Sequence, residues 1–280
     1  VMKDLPKKTE RIEWCEMTES QSTHYRSVLQ RSQALATQAV TSTASKVLMD
    51  LRKAAIHPVL FRREFTDALI KEMARACKQD EQFRDANEAY IIEDMSVMTD
   101  SELQHARRTF NHLSTKFSQP DDMFLNSGKI KKFVELLDGE TKRRALVLSQ
   151  FTQVLDILRA VLDMRGTKYL ILTGQTAFDA RLGLVDEFNQ DESISVFLLS
   201  TNASSSGMGL NLTAASVVIL FDQNLNPHND KQAVDCAYSI GQQNDVDVIK
   251  LISKGTIEVL HLHTEQSRLL ITDCRRISCV

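Results

Sequence analysis

The chain has 280 residues, of which 42% are hydrophobic and 25% charged, the balance of a water-soluble globular protein with one large or two ordinary domains. Its net charge of −3 excludes a global basic field, so any nucleic-acid contact has to come from local patches. Basic clusters do occur, at Arg62–Arg63, Arg107–Arg108, Lys129–Lys131–Lys132 and Lys142–Arg143–Arg144. Taken singly, each reads as a solvated helix end or face. No apolar run approaches the ~18 residues needed to span a membrane. The five cysteines, at 15, 77, 236, 274 and 279, form no CxxC pair and have no histidine at zinc-ligand spacing. Free thiols in a reducing compartment, and no metal site, are expected. Sequons at Asn202 and Asn211 carry no weight without a signal peptide. The first residue is Val rather than Met, which reads as a piece of a longer protein.

In chain order, residues 1–64 read as a strand and helices leading into a larger unit. The stretches ESQSTHYRSVLQRSQALATQAV and SKVLMDLRKAAIHPVLF repeat apolar residues three and four apart, so both are expected to be amphipathic helices. His57-Pro58 ends the second, because proline disfavours helical backbone in the residue before it. Residues 65–126 read as a helical insertion that packs on something else. Within it Thr99 or Asp100 is a plausible N-cap, with Glu102 following. Met95, Val97, Met98 and Leu103 are its expected anchors, whereas Asp94, Asp100, Asp121 and Asp122 are expected to be solvated.

From residue 127 to about 272 the texture changes. Short apolar runs at 145–149, 169–172, 195–200, 216–221 and 247–252 alternate with helical patterns near 127–138, 152–165, 177–190, 228–238 and 256–270. Alternation of this kind means βαβ units and a parallel sheet buried on both faces. Right-handed crossovers make the fold class α/β, a doubly wound sheet with its ligands at the C-terminal strand ends. Residues 273–280 are a tail.

The loops after the strands are polar: Gln150-Phe151-Thr152, Thr173-Gly174-Gln175-Thr176, TNASSSGMGLNLT from Thr201, and DQNLNPHND from Asp222. Such loops can offer backbone N–H groups and hydroxyls to phosphates. Gly207 and Gly209 do not complete a dinucleotide fingerprint, because the third position is Leu212, and no P-loop occurs anywhere. An unrelated doubly wound small-molecule enzyme would need a different constellation at these strand ends.

With these residues on the page, the chain resembles the C-terminal helicase lobe of SWI/SNF-type ATP-dependent chromatin remodellers. RALVLSQFTQVLDIL, YLILTGQT, VFLLSTNASSSGMGLNLTAASVVILFD, NPHNDKQAVDCAYSIGQ and VIKLISKGTIE follow in the family's order and spacing. LRKAAIHPVLFRREF is similar to the segment leading into that lobe, and YIIEDMSVMTDSELQ to an insertion in the SWI/SNF-related subfamily containing a DEAD/H box. The resemblance implies a RecA-like lobe and a partner first lobe in the same polypeptide that carries the P-loop. ATP and Mg²⁺ would be held only together with that lobe. It also implies double-stranded DNA and nucleosomes as partners, and the nucleus as location. By family position Ser149, Gln150, Thr201 and Asn202 would lie near DNA, and Gly207, Gly209, Asp235 and Gln242 near the nucleotide.

The last motif departs from the family pattern D-R-A-H-R-I-G-Q. Cys236, Tyr238 and Ser239 stand where the family has Arg, His and Arg, while Asp235, Ile240, Gly241 and Gln242 remain. The family arginines reach the γ-phosphate, and an arginine finger is worth roughly 10³–10⁵ in rate. Asn202 replaces a basic residue, Ser204-Ser205-Ser206 stand for one Gly, Thr173 for Asp, and Asn224-Leu225 for an acidic residue and Trp. The expectation is a motor lobe that is catalytically impaired and inactive alone. The alternative is a non-catalytic RecA-like module that binds DNA or protein.

Overall fold

A computed structural model describes residues 6–36, 41–110, 113, 117, 121–139, 143–204 and 210–264. Six strands form one parallel sheet: β1 (Lys8–Cys15), β2 (Ala145–Ser149), β3 (Tyr169–Leu172), β4 (Val196–Ser200), β5 (Val217–Leu220) and β6 (Val246–Ser253). Their spatial order is β1-β6-β5-β2-β4-β3, so every C-terminal strand end lies on the same edge. The expected α/β class holds, with a RecA-like lobe at its centre. The five apolar runs are β2 to β6, each displaced by at most one residue at either end.

The period of the strands decides what each face buries. Val147, Leu198, Ile219 and Ile249 point to one face and pack against α6 (Gly128–Gly139) and α7 (Thr152–Met164). Leu148, Phe197, Val218 and Val248 point to the other, against α8 (Phe178–Gln190) and α9 (Pro227–Asp235). Both faces are covered, and β2, β4 and β5 are accordingly buried at every position. α10, residues 257–264, follows β6.

The amino-terminal part closes the far edge. β1 pairs with β6 from Lys8↔Val246 to Cys15↔Ser253. α1 (Glu19–Ala36) and α2 (Thr41–Ile56) form a hairpin with its own core of Tyr25, Val28, Leu51, Ala54 and Ala55. His57 ends α2 as expected: its backbone is extended, and its Nδ1 accepts from Val59 N–H at 3.2 Å. The opposite ring nitrogen then donates to the Phe124 carbonyl at 2.9 Å, and burial lowers the pKa of the ring to about 4. Gly128 opens α6 against the turn after β1. A Cβ there would stand 1.9 Å from the Glu16 carbonyl oxygen, so only glycine fits.

Residues 65–117 build a satellite core from Phe65, Ile70, Met73, Ile91, Met95, Leu103 and Leu113. Its helices are α3 (Asp67–Cys77), α4 (Glu88–Val97) and α5 (Asp100–Thr109), and α5 lies against α7. Thr99 and Glu102 form the expected capping box. Two expectations are corrected here. Val97 is 81% exposed and anchors nothing, because it falls on the outer face of α4 with Tyr90, Glu93 and Asp94. Asp100 is 1% exposed rather than solvated, because its carboxylate accepts the backbone N–H groups of Arg63, Glu64 and Phe65 at 3.0–3.4 Å. Asp94 and Asp122 are exposed, Met98 is half-buried, and Met95 and Leu103 are buried.

The basic clusters are corrected in part: Arg62, Arg63, Arg108 and Lys131 are exposed as expected, but others are not. Lys129 is fully buried and Arg107 nearly so, and the guanidinium of Arg144 donates to the Ile194 carbonyl at 2.8 Å. Lys129 and Arg144 tie elements together, while Arg107 bonds Gln104 within its own helix. Cys15, Cys77 and Cys236 are buried free thiols; Cys274 and Cys279 lie outside the described residues.

Candidate functional site

The residues singled out in the sequence fall into two groups at opposite ends of α9. The first lies on the C-terminal edge of the sheet. Ser149 closes β2 and donates its hydroxyl to Asp222, just past β5. The second oxygen of Asp222 accepts the Gln150 N–H at 3.1 Å, and burial raises the pKa of this carboxyl. The Gln150 side chain donates to the Gln223 carbonyl at 2.9 Å, and the Arg52 guanidinium donates to the same oxygen. Lys129 reaches the same edge from α6, donating to the Phe221 carbonyl at 2.7 Å and pairing with Glu258 at 2.6 Å. Asn224 bridges Thr201 Oγ1 at 3.3 Å, and its N–H reaches Asp230 in α9 at 2.9 Å.

This arrangement separates the four expected DNA contacts. Ser149 and Thr201 are completely buried and hold the loops from beneath. Gln150 is half-buried with its amide turned to the Gln223 carbonyl, and Asn202 alone of the four is exposed. The charged set that fixes the edge, Arg52, Lys129, Asp222 and Glu258, was not singled out in the sequence. Asp222 had a usable signal, an acid ending the apolar run SVVILF. Arg52 and Lys129 had none, since a lysine or arginine within a helical pattern reads as solvent-facing.

The second group lies at the other end. α9 is capped by Asn226, whose side chain accepts from His228 N–H, with Pro227 in its first turn. It stops at Asp235, so Cys236–Gln242 lie beyond the helix rather than extending it to 238. Beyond the helix, Gln242 donates to the carbonyls of Ala215 and Ala237 at 2.9 Å each, and Gly241 takes φ 104. Gln242 is buried and faces inward, whereas Asp235 is exposed. Cys236 is buried, and burial, reinforced by Asp235, pushes its thiol up to about 11. Tyr238 donates its hydroxyl to the Pro6 carbonyl at 2.8 Å, with Lys8 Nζ 5.6 Å from its ring centre. Ser239 donates to the Asn211 side chain, whose amide in turn donates to the Ile240 carbonyl at 3.3 Å. The three replaced positions therefore stitch this end to β1 and to the segment before β5. Gly207 and Gly209, with most of the serine insertion, lie outside the described residues.

The chemistry available follows. The first group presents neutral amides over a buried charge network. In the second, Cys236, Tyr238 and Ser239 present no guanidinium. Among the described residues no three His, Cys, Asp or Glu side chains converge as a metal site. No described helix is long and apolar enough to cross a membrane.

A parallel RecA-like sheet with ordered polar loops on one edge is the frame of a helicase lobe, and the comparisons agree. The helicase conserved C-terminal domain matches residues 128–241. The chain is 44% identical over 276 residues to the ATP-dependent helicase fft2 of Schizosaccharomyces pombe, covering 92% of this chain and 21% of that protein. It is 42% identical over 272 residues to the SWI/SNF-related matrix-associated actin-dependent regulator of chromatin subfamily A containing DEAD/H box 1 of Homo sapiens, covering 96% of this chain and 26% of that protein. The crystal structure of the C-terminal part of the Fun30 ATPase domain superposes with a TM-score of 0.84 at 36% identity, covering 92% of this chain and 89% of that one. The Sulfolobus solfataricus SWI2/SNF2 ATPase core in complex with dsDNA shares the fold, with a TM-score of 0.59 at 22% identity over 92% of this chain and 43% of that one. The chain is a C-terminal helicase lobe of the SWI/SNF family. It spans about a fifth to a quarter of the length of the two curated relatives named.

Proposed function

We propose that this lobe belongs to a nuclear SWI/SNF-type DNA translocase acting on nucleosomes, and that its contribution to ATP hydrolysis is impaired. The observation that carries the reading is the state of Cys236, Tyr238 and Ser239. All three are neutral, and all three are committed to contacts within the fold. Phosphoryl transfer depends on positive charge placed where negative charge develops. The residues present here do not fit a γ-phosphate. ATP and Mg²⁺ would be held by a first lobe of the same polypeptide. The names of the relatives, ATP-dependent helicase and SWI/SNF-related regulator of chromatin, support the class of activity.

Double-stranded DNA would lie along the edge carrying Gln150 and Asn202, where the exposed Asn202 amide suits a backbone contact without sequence readout. The Sulfolobus solfataricus SWI2/SNF2 ATPase core, which shares the fold, is in complex with dsDNA. A second reading, a non-catalytic module that keeps only the DNA or protein surface, draws on the same neutral motif.

A fusion to a competent first lobe tests the proposal. DNA-stimulated ATP hydrolysis should be absent in the unrepaired fusion and weak after Cys236→Arg, Tyr238→His and Ser239→Arg. It should be strongest when the serine stretch is also shortened by two residues. Cys236 is the costly position, because an arginine there must leave a buried site. An unrepaired fusion as fast as the fully repaired one overturns the impairment, and a repaired fusion that stays inactive favours the non-catalytic module.

A further inference from the structure

Arg52, in α2, lies outside the matched residues 128–241 and is 4% exposed, yet its guanidinium reaches two of the loops that surround Asn202. One terminal nitrogen donates to the Gln223 carbonyl after β5, and the other lies 3.5 Å from Gln150 Oε1 after β2. Burial lowers the pKa of this group, and the carboxylates of Asp222, Glu258 and Asp230 oppose the shift, so the cation is kept. Two routes lead from it to Asn202. In the first, Gln150 is held at each of its polar atoms. Its N–H donates to Asp222 at 3.1 Å, its side-chain amide to the Gln223 carbonyl at 2.9 Å, and its own carbonyl accepts from the Asn202 amide at 3.5 Å. In the second, Asn224 follows Gln223 directly and donates its side-chain amide to Thr201 Oγ1 at 3.3 Å, beneath the helical turn Thr201–Ser204 that carries Asn202.

We propose that Arg52 is a positioning residue for DNA binding: it fixes the loops after β2 and β5 against each other and thereby sets the place and orientation of the exposed Asn202 amide. The inference rests on the reading that duplex DNA lies along this edge. A guanidinium suits the task because its nitrogens form one rigid plane, so two acceptors are held at a set separation. An ammonium on a similar stem has a single nitrogen and keeps the charge without spanning both loops. An aliphatic side chain of the same length would fill the space and hold neither.

The test is a double-variant cycle on the whole chain, with a short duplex of mixed sequence at low salt and binding read by fluorescence anisotropy. Asn202→Ala should weaken binding about threefold to tenfold, the range of one net hydrogen bond. Arg52→Lys should weaken it by a similar factor, and the double variant no further than Asn202→Ala alone, because both changes remove the same contact. In the free protein, Arg52→Lys should also move the NMR resonances of the Asn202 side-chain amide. Gln150→Met interrupts the first route without stranding a charge and should show the same dependence on Asn202, which serves if Arg52→Lys fails to fold. Arg52→Lys weakening binding by the same factor with and without Asn202 would make Arg52 a structural support and overturn the inference. Unchanged binding by Arg52→Lys would do the same, and both results leave the DNA edge standing. Unchanged binding by Asn202→Ala, or no binding by the parent chain, removes the DNA edge itself and the inference with it.

Discussion

Asp100 and Lys129 show how a charged side chain earns a place inside this lobe. The Asp100 carboxylate receives three backbone N–H groups at the start of the insertion. Hydrogen bonds to a charged group contribute about 1.5–3 kcal/mol, and an orphaned buried donor costs about 1–3. Asp100→Ala should therefore lower unfolding stability by roughly 2–4 kcal/mol in urea, while Asp94→Ala, on an exposed position, should change it little. Lys129 and Glu258 are a fully desolvated pair, which predicts a different signature. Lys129→Met alone should cost about 3–5 kcal/mol, and the added Glu258→Gln should recover a good part of it, because the first change strands a buried charge. Additive losses in the double variant would show that the pair is solvated. His57 contributes to the acid behaviour, as does His24, whose ring pKa burial also lowers to about 4. The folded pKa of His57 is near 4, against an ordinary value of 6.5. Between those values the unfolded chain binds a proton that the folded chain refuses, so stability falls as pH drops from 6.5 toward 4. The limiting slope is about 1.4 kcal/mol per pH unit. Urea midpoints at pH 7 and pH 5 should show it, and His57→Gln, which keeps a donor toward Phe124, should remove that part of the slope. An unchanged slope in the variant would assign the effect to other groups.

At the scale of elements, the insertion separates what pattern reveals from what it hides. Leu103→Ala should cost about 2–5 kcal/mol, since the side chain is fully buried. Val97→Ala should be close to neutral, and Met98→Ala should fall between. Equal losses at Leu103 and Val97 would mean that α4 is covered on both faces. The sequence showed that helices occur here, and where α5 begins, because a capping box is local chemistry. It could not show which face of α4 is buried: Tyr90, Val97, Ile91 and Met95 are all apolar, and only tertiary contact chooses between them. The central strands were legible for the opposite reason, since burial on both faces leaves continuous Val, Ile and Leu. A strand was expected within residues 1–64, but neither its bounds nor its pairing was, because KTERIEWC alternates charge with little apolar content and its partner lies at the other end of the chain. For the candidate site, motif order located the loops. It did not reveal that Ser149, Thr201 and Gln242 face inward, because the same side chains serve equally well as scaffold or surface.

For the molecule as a whole, the unit that folds is larger than the matched domain. Residues 128–241 omit β1 and β6, so that fragment would end its sheet at β5, a bare edge of Val217–Leu220. Such an edge templates pairing between chains. The fragment should aggregate on expression, whereas residues 6–264 should stay monodisperse by light scattering; a soluble, cooperative fragment would show that the outer strands are dispensable. DNA binding, if it uses the edge at Asn202, belongs to this scale too. Asn202→Lys should steepen the dependence of log affinity on log salt by about 0.9, one added phosphate contact. Parallel salt plots for the two forms would place the duplex elsewhere. The pairing of β1 with β6 also bears on synthesis. Lys8 meets Val246, 238 positions later. At roughly 5–20 residues per second, a ribosome would leave β1 without its neighbour for about 12–48 s. An apolar strand waiting that long would be a hazard in a crowded cytoplasm. Lys8, Glu10, Arg11 and Glu13 make it a poor target for stray association, and Arg11 finds Asp247 only when β6 arrives. The charges that conceal this strand from pattern reading are the same ones that keep it safe until the sheet can close.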